Sequence, residues 1–101
     1  MPMIAEFSIV PIGAGESLSA HIAKAFEVIE SGGVAYEHHA MGTNLEGEWD
    51  EVMAVIKACR DRLLESSGRV SLSIKVDDRT GATDRLAYKV DAARRKMHTD
   101  S

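Results

Sequence analysis

A chain of 101 residues, 45% hydrophobic and 28% charged, has the length and mix of one globular domain with a single modest core. Its formal net charge of −4 argues against nucleic acid as a partner, because that binding needs a basic footprint. No apolar run of about 18 residues is present to cross a membrane, and Met1-Pro2-Met3, with Glu6 close behind, lacks the basic start and apolar run of a secretory signal.

Met3 to Val10 reads as a strand, with Phe7 and Ile9 alternating against Glu6, Ser8 and Val10, and Pro11 closing the run. Gly13-Ala14-Gly15 is a turn. Ser17 or Ser19 can cap the helix that follows, and Glu16 favours its positive end. Leu18, Ile22, Ala25, Phe26 and Ile29 recur at spacings of three and four, which predicts one buried helical face. Ser31-Gly32-Gly33 stops that helix.

Val34 to Met41 is a second strand, with Tyr36, His38 and Ala40 on one face and Glu37, His39 and Met41 on the other. Gly42 marks a tight turn into a short third strand, about Thr43 to Glu48; a slip of one residue there would exchange the faces. A second helix runs from Trp49 or Asp50 to about Ser66. Trp49, Val52, Ile56, Cys59 and Leu63 form its stripe, with Trp49 as a core anchor and Asp50 and Glu51 at its positive end. Ser66-Ser67-Gly68 ends it. Val70, Leu72, Ile74 and Val76 then alternate strictly with Ser71, Ser73, Lys75 and Asp77. A turn over Asp77-Asp78-Arg79-Thr80-Gly81 leads to a third helix, about Thr83 to Met97, with Leu86, Val90, Ala93 and Met97 on one side. Arg94-Arg95-Lys96 complements the negative end of that helix.

The order β-α-β-β-α-β-α predicts a single α+β domain over residues 1–101. The arrangement expected is ferredoxin-like βαββαβ with an additional C-terminal helix: an antiparallel four-stranded sheet with two helices on one face. The other face would carry Glu6, Ser8 and Val10 beside Ser71, Ser73 and Lys75. A sheet of this size gains core by pairing, so that face is expected to meet sister chains and shelter small polar pockets.

The stretch from Met41 to Val52 combines two glycines, polar side chains, a tryptophan and a helix start, and small ligands settle at such junctions. Cys59 cannot form an internal disulfide, which fits a reducing cytoplasm, and its place in an apolar stripe marks a structural thiol. His38 and His39 are adjacent on a strand, point to opposite faces, and cannot chelate a metal together. Gly13-Ala14-Gly15 lacks the third glycine and the lysine of a phosphate cradle. Glu46, Glu48, Asp50 and Glu51 are carboxylates without a visible acid–base pairing, and no triad is present. A binding module fits better than an enzyme.

Three stretches, FSIVPIGAGESLS, MGTNLEGEWDEVMAVIKAC and RVSLSIKVDDRTG, resemble the small thiamine-binding proteins of the YkoF-like family, in the same order and over Phe7 to about Val90. The resemblance implies ferredoxin-like subunits that assemble as homotetramers from sheet-to-sheet dimers. It implies thiamine (vitamin B1) or its hydroxymethylpyrimidine portion as ligand, held without chemistry, cofactor or metal. Carried over motif by motif, the ligand-binding residues are Ser8, Met41, Gly42 and Thr43, with Glu37 beside them. Met41 would offer a flat apolar wall, Ser8 and Thr43 hydroxyls for ring nitrogens and amine, and Glu37 a carboxylate for a thiazolium cation. The alternative is a structural or regulatory subunit whose open sheet docks another protein.

Overall fold

The computed structural model describes residues 2–13, 17–80 and 85–99. In chain order the elements are β1 (Met3–Pro11), α1 (Leu18–Glu30), β2 (Ala35–His39), β3 (Gly42–Gly47), α2 (Trp49–Ser67), β4 (Val70–Asp78) and α3 (Arg85–Thr99). The strands lie in the order β2-β3-β1-β4, every neighbour antiparallel. This is the ferredoxin-like plan with an added C-terminal helix.

Period-two alternation decides which residues of β1 enter the core. Met3, Ala5 and Phe7 are buried against the helices, while Glu6 and Val10 look the other way. Leu45 of β3 stands opposite Ala5, so the two central strands supply one apolar floor. Ala25 and Ile29 from α1 and Val52, Val55, Ile56 and Cys59 from α2 close over it. Ser17 caps α1, its hydroxyl accepting from the Ala20 N–H at 3.4 Å. Gly68 ends α2 with φ 73°, its N–H reaching the Leu64 carbonyl at 3.3 Å.

Several expectations need correcting. In α1 the buried face is His21, Ala25 and Ile29, whereas Leu18 and Ile22 are exposed. The stripe is turned by one residue because the sheet lies under positions 21, 25 and 29, and Leu18 and Ile22 flank a cavity beyond it. Trp49 is 53% exposed and anchors nothing in the core; the α2 stripe starts one turn later at Val52 and takes in Val55. The β2–β3 turn falls at Ala40–Met41, so Gly42 opens β3 rather than making the turn. Asp77 and Asp78 continue β4 instead of forming a turn, paired with Ile4 and Met3. Ile74 and Val76, on the helix side of an edge strand that the helices only partly cover, stay more than a third exposed. Glu16, Gly81 and Thr83 lie outside the described residues.

The molecule measures 51 × 30 × 20 Å, with a radius of gyration of 15.5 Å. A compact chain of this length would have a radius of roughly 13 Å. The main contact of α3 with the body is at β1, and its Val90 and Met97 are exposed. No helix among the described residues is long and apolar enough to cross a membrane.

Cys59 is fully buried, its thiol facing the Ala25 carbonyl at 3.8 Å. Burial pushes the thiol from its ordinary 9.0 up to about 11. Because the unfolded thiol ionises first, this contribution to stability is complete below pH 9 and is lost as pH rises toward 11. Denaturant titrations are expected to show wild type losing on the order of 2–3 kcal/mol more than Cys59→Ala across that window. Equal slopes for the two proteins would contradict a buried neutral thiol.

Candidate functional site

The site is built where β3 leaves the β2–β3 turn. Register places Thr43 between Phe7 on β1 and His38 on β2, with all three side chains on the helix side of the sheet. Thr43 is buried, and its Oγ1 lies 3.0 Å from His38 Nδ1. His38 Nε2 lies 3.1 Å from a carboxylate oxygen of Glu30 at the end of α1. Phe26 stacks on the His38 ring with centroids 3.7 Å apart and an interplanar angle of 14°. A carboxylate only accepts, so in neutral His38 the proton sits on Nε2 and points to Glu30. Nδ1 then accepts from the Thr43 hydroxyl, which leaves Thr43 with oxygen lone pairs for anything beside it.

Beside this chain of bonds lies a cavity of about 240 Å³ between α1 and the β1 and β3 backbones. Phe7, Ile9, Ala25 and Phe26 make its walls apolar; Thr43 and His21 are its polar groups on the helix side. Gly42 admits the close backbone approach that shapes it. A Cβ at this position would lie 2.6 Å from the Phe7 carbonyl oxygen.

The opposite face carries a separate polar network. The Met41 N–H donates to His39 Nδ1 at 3.3 Å, so the proton of a neutral ring is on Nε2, which faces Asn44 Oδ1 at 3.2 Å and Glu6 at 3.4 Å. Asn44 in turn donates to Glu37 at 3.4 Å. Ile4, Glu6, Glu37, Asn44 and Lys75 border a hollow here, with Val90 of α3 at its side.

Four of the five residues singled out by sequence, Ser8, Met41, Gly42 and Thr43, meet along the lining of the cavity. Glu37 does not; it sits in the network across the sheet. Alternation also divides Ser8, which pairs with Ser73 on the open face, from Thr43 on the helix face. Met41 is 82% exposed at the turn and forms a rim rather than a wall. Sequence reasoning passed over His21, Phe26 as a stacking partner, and the Glu30–His38 pair. The four-residue spacing of His21, Ala25 and Ile29 was the signal for the first. No group of three metal-binding side chains exists among the described residues.

A profile of the thiamine-binding protein family matches residues 5–94. A UPF0045 protein of Methanocaldococcus jannaschii is 37% identical over 90 residues, covering 89% of this chain and 90% of its own. A crystal structure of a hypothetical protein from the same organism superposes with a TM-score of 0.83 at 36% identity, over 91% of this chain and 95% of that one. A Thermotoga maritima protein given a provisional role in thiamine biosynthesis or salvage superposes with a TM-score of 0.80 at 27% identity, over 92% and 99%. With the profile spanning α1, α2, β2, β3 and β4 in full and most of β1 and α3, the chain belongs to the thiamine-binding protein family.

Proposed function

We propose that this protein binds thiamine or its hydroxymethylpyrimidine portion, without transforming it, in the cavity beneath the β2–β3 turn. The observation that carries this reading is one apolar hollow of about 240 Å³ with Thr43 and the Gly42 backbone on its lining and Met41 at its rim, the Ser8 side chain leaving the sheet on the other face. Phe7 and Phe26 offer flat faces to a pyrimidine ring, and the Thr43 oxygen, its proton directed to a neutral His38, is left to accept from a donor on the ligand. Glu37, lying across the sheet, is left to serve a thiazolium or a neighbouring subunit. Homo-oligomers, tetramers in the fullest form, would bring copies together through the open face, where Val10 and Val90 are exposed. The lone free thiol suits a reducing cytoplasm.

Melting curves with thiamine, its phosphates and hydroxymethylpyrimidine test the reading. Ligand at a hundred times its Kd is expected to stabilise the fold by about 2.7 kcal/mol. Thr43→Ala is expected to weaken binding by about 1–2 kcal/mol, roughly tenfold, because one hydrogen bond in a partly buried site is lost. Unchanged melting across the whole series would remove the ligand assignment.

A second reading is favoured by the exposed apolar side of α3, Val90 and Met97. On that reading the protein is an interaction subunit that docks another protein on its open face and holds no small ligand. A monomer by light scattering, unmoved by every compound in the series, would select it.

A further inference from the structure

A buried imidazole is ordinarily hydrogen-bonded. His21 is 1% exposed, and neither Nδ1 nor Nε2 has a partner among the described residues. It shares its stripe with Ala25 and Ile29, where a leucine would fill the same space without stranding a polar ring. Packing therefore does not account for a histidine at this position, and His21 is one of the residues lining the cavity, with Phe26 and Thr43.

The other polar side chains on the lining are already committed. Ser8 and His39 belong to the opposite face of the sheet, and His39 is bonded to Asn44 and Met41. With His38 neutral, the Thr43 hydroxyl donates to Nδ1 and has only acceptor capacity left. On the helix side His21 is thus the one described side chain whose donor is unspent, and a neutral imidazole offers an acceptor as well.

We propose that His21 is the specificity-determining residue of this cavity, recognising an aminopyrimidine edge on which an amino donor stands next to a ring-nitrogen acceptor. This rests on the ligand reading above and adds to it the group that distinguishes one flat heterocycle from another. Neither nitrogen of the imidazole has a partner among the described residues; an occupant's amino group donates to the unprotonated nitrogen, and an occupant lacking that group leaves this acceptor without its bond.

The test is calorimetry and melting on the full chain, with 4-amino-5-hydroxymethyl-2-methylpyrimidine and its analogue lacking the amino group. Wild type is expected to prefer the amino compound by about tenfold or more. His21→Leu is expected to melt no lower than wild type without ligand, to bind the amino compound roughly ten- to a hundredfold more weakly, and to lose the preference. His21→Gln, which keeps a donor and an acceptor, is expected to restore part of it. If His21→Leu keeps both affinity and preference, the role of His21 is wrong while the ligand reading stands. If His21→Leu melts far below wild type, the imidazole serves the fold and the inference fails. Failure of wild type to bind either compound overturns the ligand reading and the inference together.

Discussion

Phe7→Ala is expected to destabilise the protein by about 3–5 kcal/mol, the range for emptying a buried aromatic site. Phe7 is 3% exposed at the middle of an inner strand, opposite Thr43 on one side and Ile74 on the other. Its ring faces the helix layer and also walls the cavity, so removal enlarges a hollow already present. At roughly 4 °C or more per kcal/mol for a domain of this size, the melting temperature should drop by about 12 °C or more. A loss below about 1 kcal/mol in chemical denaturation would mean that neighbours collapse into the gap and that Phe7 is no keystone of either core or cavity.

Gly42→Ala carries the second large effect, about 2–4 kcal/mol by analogy with other strained or overpacked sites. The added methyl would sit 2.6 Å from the Phe7 carbonyl oxygen, and the backbone there has φ 155°, which side-chain-bearing residues seldom adopt. The obstacle is main chain in a strand paired on both sides, which cannot swing aside as a flexible side chain would. The same displacement would move Thr43, next in the chain, so ligand-induced stabilisation should fall along with the melting temperature. Gly42→Ala that melts within about 2 °C of wild type would show the approach to be adjustable.

The element order was legible in the sequence because each element announces itself by period. Alternation from Phe7 to Val10 and from Val70 to Val76, and three- and four-residue spacing in α2, need no tertiary knowledge. Local chemistry also placed the close of α2 at Gly68, and of the two serines it offered for the α1 cap the structure uses Ser17. The face of α1 was another matter. Positions 21 and 22 differ by about 100° around the axis, and hydrophobicity favours Ile22 for the core while the sheet covers His21. Trp49 failed as well: at the first position of α2 it is 53% exposed, whereas Val52, about one turn on, is fully buried.

The site divides in the same way. A resemblance in the stretch around Met41 located the turn and its neighbours, and four of those residues do adjoin one cavity. The stretch could not tell that the Thr43 hydroxyl is tied to His38 and through it to Glu30, eight residues earlier in the chain than His38, because only strand register brings them into line. Nor could it separate Glu37 from Thr43, whose side chains leave the sheet on opposite faces.

By itself the sequence determined the α+β class, the order of the seven elements and the glycine that ends α2, since these follow from interactions within a few residues. Which arc of each helix is covered, which hydroxyl keeps its proton, and which histidine is left unpartnered were decided only by the packed sheet and helices. Burial and hydrogen-bond direction are properties of the neighbours a residue acquires, and for His21, Thr43 and Trp49 those neighbours are placed by the packing of elements that lie apart in the chain.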